Sequence, residues 1–278
     1  MTIVAKELAG RTVMVLGGPG TGKTAMVREL ARQLAEEAGA VAIVSADMGQ
    51  QSLGVPTCLG LSLQAPHDRA SAMWFIGDVS PGGNLLPAAV GAARLVARAR
   101  AEGAATVLID TTGLVDSGAG LALKYHKALA AEVDCLVGLQ RAGELEAVLG
   151  LLAGICPMVH RAAPPPDAKD RSAAERKAYR EECYRCYFQE AAALQVDATR
   201  LVGTNWMPNP LKNRDYPAPG TVVGLLDSHG FCLGIGLVEK ILPTRLVVFT
   251  PWSDAAAVAG VKVGKIRLDR QAEYAEGR

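Results

Sequence analysis

The 278-residue sequence predicts an α/β fold: a parallel sheet flanked by helices, followed by a small all-β module near the C-terminus. Three observations predict it. Short apolar runs alternate with helix-period stretches through the first half of the chain. A glycine-rich turn joins the first run to the first helix. After a Pro/Asn-rich passage near residues 203–220 the texture becomes β-branched and Gly-punctuated.

In chain order, strands are expected at Thr12–Leu16, Val41–Ser45, Ala72–Ile76, Thr106–Ile109 and Cys135–Leu139. Helical patterns lie between them at Thr24–Ala38, Leu85–Ala101, Gly120–Ala131 and Gly143–Ala153. Near-continuous apolar strands of this kind are buried on both faces, and ligands gather beyond their carboxyl ends. "AAPPPD", Ala162–Asp167, is a stiff break. Asp170–Gln195 holds no Gly or Pro and reads as one charged helix, a lid over about residues 167–195. The Pro/Asn-rich passage divides a domain over residues 1–203 from a smaller one over 204–278. Within the latter, Gly220–Leu268 reads as all β, with Asp227-Ser228-His229-Gly230 as a turn.

Half the residues are hydrophobic and the formal net charge is +1, so no global field advertises a polyanion partner. No run approaches the roughly 18 apolar residues of a membrane span, and no signal peptide is read, so no membrane role and a cytoplasmic location are expected. The six scattered cysteines then read as reduced thiols. Cys183 and Cys186 form a C-x-x-C with no second pair, short of the four ligands of a structural zinc site.

"GGPGTGKT", Gly17–Thr24, matches G-x-x-x-x-G-K-[ST] at Gly17, Gly22, Lys23 and Thr24. Glycines there let backbone N–H groups converge on phosphate oxygens, and the helix start adds its positive end. Gly18, Pro19, Gly20, Thr21, Gly22, Lys23, Thr24 and Ala25 are thus the candidate nucleotide-binding residues. Lys23 is expected on the β/γ-phosphates and Thr24 on Mg²⁺. Asp47, at the end of the next strand, is a candidate to accept a proton from an attacking hydroxyl or to hold a metal-bound water; alternatively it caps a turn. Gln50 stands three residues on. Asp110 ends "TVLID" and is the expected carboxylate of the Mg²⁺ shell, followed by Thr111, Thr112 and Gly113; a buried loop-capping aspartate is the plainer alternative. "GDVSPGGN" adds Asp78, Ser80 and Asn84 on a further loop.

Arg176 and Arg180 lie four apart and share a helical face, with Arg171 near the helix start. From Asp167 to Glu190 six basic residues meet six acidic ones. By itself this reads as a solvated, salt-bridged helix. The functional alternative is a lid whose guanidiniums close over a triphosphate.

The series "GGPGTGKT", "SADMGQQSLGVP", "GDVSPGGN", "DTTGLV", "DRSAAERKAYREECYRCYF" and "GTVVGLLDSHGFCLGIGLVEKI" resembles the polynucleotide 5'-hydroxyl kinase family, over about residues 10–268. The resemblance implies a P-loop kinase that binds ATP and Mg²⁺ through Lys23 and Thr24 and acts on RNA or DNA 5'-OH ends. It implies Asp47 near the attacking 5'-OH, Gln50, Ser80 and Thr112 in nucleic-acid or clasp roles, and Arg171, Arg176 and Arg180 as the lid series. Leu114 stands where eukaryotic members often have Trp, and the N-terminal β-domain of those members is expected to be absent. Three rival readings are a nucleotide-regulated metallochaperone or switch GTPase, a non-catalytic ATP-binding scaffold, and a small-molecule kinase. Neither an Asn/Thr-Lys-x-Asp guanine element nor a rich metal-ligand cluster supports the first. Aromatics are 5% of the chain, and Trp74, Tyr179, Tyr184, Trp206 and Trp252 are expected to pack rather than to stack on bases.

Overall fold

A computed structural model describes residues 5–37, 39–166, 168–202 and 217–275. A 3-10 turn at Ala5–Leu8 precedes β1 (Thr12–Gly17), α1 (Lys23–Glu37), β2 (Val41–Ala46), β3 (Cys58–Ser62) and β4 (Ala72–Phe75). Then come α2 (Leu85–Ala101), β5 (Thr106–Thr111), α3 (Gly118–Ala130), β6 (Cys135–Leu139), α4 (Glu146–Leu152) and β7 (Met158–Ala162). These strands form one sheet in the order β4-β3-β2-β5-β1-β6-β7. It is parallel from β2 to β7, with β3 running antiparallel to both β2 and β4.

The sheet is sorted by the two-residue period of a strand. Val13 and Val15 of β1 pack with Val27, Leu30 and Leu34 of α1. Met14 and Leu16 face the opposite layer, with Ala92 and Leu95 of α2, Leu123 of α3 and Leu149 of α4. The central strands β1, β2, β5 and β6 are buried at every position. The edge strands β4 and β7 are mostly half-buried, which is why their hydrophobic signal is weaker.

Helix α5 (Ala173–Tyr187) leads into the second sheet. That sheet comprises β8 (Ala192–Asp197), β9 (Leu201–Val202), β10 (Thr221–Leu226), β11 (Cys232–Ile241), β12 (Arg245–Thr250) and β13 (Gly260–Arg267), in the order β8-β12-β11-β10-β13-β9. The expected turn is present: Asp227 Oδ1 accepts from the backbone N–H of His229 and Phe231, at 2.8 and 2.9 Å. One core joins the two sheets. It gathers Cys58 and Phe75 of the first sheet, Tyr184 and Phe188 at the end of α5, and Val222, Ile235 and Leu237 of the second.

The single helix expected over Asp170–Gln195 is corrected. It starts at a capping box, in which Ser172 Oγ accepts from Glu175 N and Glu175 reaches back to Ser172 N, and it ends at Tyr187. The alanines that follow form β8 instead, because six residues from Ala192 to Asp197 pair with β12 and tertiary pairing overrides their helix propensity. Two strands of the second sheet therefore lie upstream of residue 203. The expected domain boundary itself, and Trp206, fall mostly or wholly outside the described residues.

Candidate active site

The phosphate loop leaves β1 at Gly17 and enters α1 at Lys23, at the carboxyl edge of the sheet. Gly20 and Gly22 have φ of +63° and +78°, a region that side-chain-bearing residues adopt only under strain. Lys23 Nζ donates to Gly18 O at 2.7 Å, and Thr21 Oγ1 donates to the same oxygen at 2.9 Å. Burial lowers the Lys23 pKa, opposed by the negative charges of Asp110, Asp47 and Asp170.

Asp110 sits near the end of β5, between Val15 of β1 and Ser45 of β2 in register. Its Oδ2 accepts from Thr24 Oγ1 at 2.6 Å, and the side chain is almost wholly enclosed. Burial pushes its pKa up to about 6. The Thr24 hydrogen bond works against that shift, and the nearby Asp47 charge adds to it. Asp47 follows the adjacent strand β2; its Oδ1 accepts from the N–H of Gly49 and of Gln50, each at 3.0 Å. The turn-capping reading of Asp47 is thus realised by one oxygen, alongside its place next to Lys23 and Asp110.

Gln50 is half-buried, whereas its neighbour Gln51 is buried and structural, donating to Cys58 O at 2.7 Å. The loop carrying Asp47 packs on the Asp78–Asn84 loop: a side chain at Gly49 would meet Val79 O at 2.4 Å. Asp78 Oδ2 accepts from Asn84 Nδ2 at 2.9 Å, and Lys265 of β13 donates to Asn84 Oδ1 at 3.0 Å. Ser80 is exposed on this loop, its Oγ accepting from Gly82 N at 3.2 Å. Thr111 Oγ1 donates to Val15 O at 2.8 Å. Gly113 lies against the phosphate loop, where a Cβ would come within 2.8 Å of Pro19 N.

The segment leading into α5 also touches the loop. A Cβ on Gly20 would meet the backbone N of Asp170 at 2.3 Å, and the Pro165 ring lies beside Gly22. Arg176 pairs with Asp170 Oδ1 at 3.1 Å. The Arg171 guanidinium sits 5.0 Å from the centre of the Tyr179 ring, and Tyr179 Oη donates to Gln51 O at 2.9 Å. Arg180 turns elsewhere: its Nε donates to Tyr274 Oη at 2.7 Å.

So Lys23, Thr24, Asp47 and Asp110 come together, with Gln50, Thr112 and Gly113 on adjoining loops and Ser80 one loop further on. Arg176 reaches the site's edge through Asp170, and Arg180 faces Tyr274. Sequence reasoning missed Lys124 and Lys127 of α3, both wholly enclosed. Lys124 Nζ donates to Thr112 O at 2.5 Å and Oγ1 at 3.2 Å, and Lys127 Nζ donates to Ala46 O at 3.3 Å. Burial drives the Lys124 pKa well down, with the Lys127 and Lys23 charges adding to the fall. Burial takes Lys127 down to about 8, opposed by Asp47 and Asp110. A signal was available: the buried stripe of α3 is Gly120, Leu123, Lys124, Lys127 and Ala128, a core-facing helical spacing in which both lysines fall.

Among the described residues no three His, Cys, Asp or Glu side chains form a metal-holding cluster. The Thr24 hydroxyl and the Asp47 and Asp110 carboxylates are nonetheless hard oxygen donors of the kind Mg²⁺ takes beside phosphates. A buried carboxylate with a raised pKa gains from a cation, so these residues fit that ion.

The model of the family described as mRNA cleavage and polyadenylation factor CLP1 P-loop matches residues 17–190. The chain is 26% identical to a polyribonucleotide 5'-hydroxyl-kinase of Pyrococcus abyssi, covering 94% of this chain and 88% of the relative. It is 28% identical to one of Thermococcus kodakarensis, covering 94% and 89%. Among solved structures, a Clp1p–Pcf11p complex superposes with a TM-score of 0.69 at 14% identity, over 92% of this chain and 74% of the other.

Proposed function

The chain belongs to the CLP1 P-loop family, and from that membership we propose that it is an ATP-dependent polynucleotide 5'-hydroxyl kinase acting on RNA ends, with DNA ends as a second substrate. One observation carries the reading: the phosphate-loop Thr24 is hydrogen-bonded to Asp110 at 2.6 Å, while Asp47 stands at the end of the neighbouring parallel strand. This is a phosphate cradle with two carboxylates at its mouth. The family's curated relatives, named polyribonucleotide 5'-hydroxyl-kinases, support the same activity.

In this reading the loop from Gly18 to Ala25 holds the ATP phosphates and Lys23 lies along the β/γ oxygens. The 5'-hydroxyl oxygen forms a bond to the γ-phosphorus as the bond from that phosphorus to the β–γ bridging oxygen breaks. Asp47 orients the hydroxyl and takes its proton. Such a transition state asks mainly for alignment and neutralised charge. Thr24, Asp110 and Asp47 are the residues that would hold Mg²⁺, which supplies charge neutralisation on the phosphate oxygens. Gln50, Ser80 and Thr112 are the candidate contacts to the strand end. Arg171 and Arg176 would exchange their protein partners for phosphate, and Arg180 would first have to leave Tyr274. The expected cytoplasmic location belongs to the same proposal; among the described residues no helix is long and apolar enough to cross a membrane.

The test is transfer of labelled γ-phosphate from ATP to matched 5'-OH RNA and DNA strands. Label on the RNA strand, lost in Asp47→Ala, is the expected result; full activity in purified Asp47→Ala removes that residue's role. A second reading, an ATP-binding scaffold, is favoured by one observation: Asp170 packs on Gly20 and the lid arginines are each engaged by protein groups. Stoichiometric ATP binding with no transfer to any 5'-OH strand would establish it.

A further inference from the structure

Lys124 and Lys127 have no role in the site as described so far, yet their placement is hard to explain by packing. Lysine is almost never fully buried without an acidic partner. Here two lysines, three residues apart on one helix, are wholly enclosed, and no carboxylate makes a direct salt bridge to either among the described residues. Their ammonium groups go to backbone carbonyls instead. Lys127 holds the carbonyl of Ala46, the last residue of β2 and the one before Asp47. Lys124 holds the carbonyl and hydroxyl of Thr112, one residue beyond the end of β5 and two beyond Asp110. Ala46 and Thr111 are partners in register across the two strands. One face of α3 thus grips the carboxyl ends of both acid-bearing strands.

The grip answers a physical need. Two carboxylates close together at a sheet edge repel one another, and the loops that bear them would relax apart. The Lys127 ammonium behind them offsets that repulsion, and the hydrogen bonds of both lysines pin the backbone where each loop begins. We propose that Lys124 and Lys127 are positioning residues that set the placement of Asp47 and Asp110 for phosphoryl transfer. The proposal rests on the kinase reading above. Neither lysine touches substrate; each acts through the backbone beside an acid.

The test compares wild type with Lys124→Met and Lys127→Met, which keep bulk and remove both charge and donor. Three quantities are read: kcat for transfer to a 5'-OH RNA, KM for ATP, and Tm. Displaced catalytic groups lose rate steeply, so kcat is expected to fall about tenfold in each variant. KM for ATP should stay within about twofold, because the phosphate loop is untouched. Replacing a buried ammonium by an apolar side chain removes its desolvation cost but leaves a buried carbonyl without that donor, so Tm should hold within a few °C. Activity that falls while stability does not is the signature of positioning. Lys124→Gln and Lys127→Gln keep an N–H donor at shorter reach and should recover about threefold of the lost kcat; they also carry the comparison if a methionine variant does not fold. An undiminished kcat in folded variants overturns the inference, as does a kcat that falls only in step with the folded fraction. An inert wild type overturns the kinase reading and this inference together, whereas an active wild type with undiminished variants overturns the inference alone.

Discussion

Helices α3 and α5 both bring cations toward the phosphate loop, and they hold them differently. On α3, Lys124 and Lys127 are sealed in the core and bonded to backbone carbonyls. On α5, Arg176 and Arg180 are half-exposed, and Arg171, just before the helix, is exposed; their partners are Asp170, Tyr274 and the Tyr179 ring. The one ion pair among these, Arg176–Asp170, is worth about 0–1 kcal/mol at such exposure, so a phosphate can displace Asp170. The apolar anchors of α5, Tyr184 and Phe188, lie at its C-terminal end. Its N-terminal end is polar and rests on the loop through Asp170. Under the proposed mechanism, the contrast separates buried lysines that set geometry in advance from arginines that would engage the substrate's phosphate.

The largest effect expected is at the point both helices serve. Lys23→Ala or Asp47→Ala should lower γ-phosphate transfer by about 10³-fold or more, the scale of removing a principal charge-stabilising group. Next come the exchangeable arginines. Arg176→Ala should cost about 10²-fold in kcat with Tm nearly unchanged, and Arg176→Lys should recover little, because a point charge does not reproduce the guanidinium fork. Undiminished turnover in Arg176→Ala would erase the contrast between the two helices.

A third prediction is one of pH. The Lys127 pKa is about 8 in the fold against an ordinary 10.5. Below about 8 the fold therefore carries a cation it disfavours, by on the order of 3 kcal/mol at most. As pH rises from 8 to 10.5 the unfolded chain binds more protons than the folded one, so the penalty fades. The charged groups acting on Lys127 are Asp47 and Asp110, and its own charge adds to the fall of the Lys124 pKa. Lys127→Met should thus raise Tm over wild type by a few °C at pH 7, and the gain should shrink through pH 10 and vanish above about pH 11. A gain that does not change with pH would place the cost in packing instead of charge. The smallest effect belongs to the loop contact: Asp170→Ala should lower KM for ATP by about threefold or less, measured at fixed RNA.

The central layer was legible because its physics is local. Strands β1, β2, β5 and β6 are continuous apolar runs, and α2 has the bounds its periodicity predicts. The phosphate loop and both acids were legible from residue type and position after a strand. Other features needed the third dimension. Strand β3 carries Gly60 inside it, packed against Leu53, and an interior glycine weakens the strand signal. Strand β8 looked like the tail of a helix because its pairing partner lies far along the chain. The engagement of Arg180 depends on Tyr274, 94 residues away. The lysines of α3 were hidden for another reason: a hydrophobicity count assigns every lysine to solvent, and only their position on the buried stripe contradicts it.

Strands β8 and β9 are contributed from upstream of residue 203, yet they pair with β12 and β13. A cassette ending at residue 203 would carry two orphaned ribbons and expose Tyr184, Phe188, Val196 and Leu201, which are buried in cores shared with the later strands. Naked edges of that kind invite aggregation. Anyone grafting or trimming the first sheet for use elsewhere must keep the whole trailing sheet, or sever before Ala192 and lose the packing that seats α5.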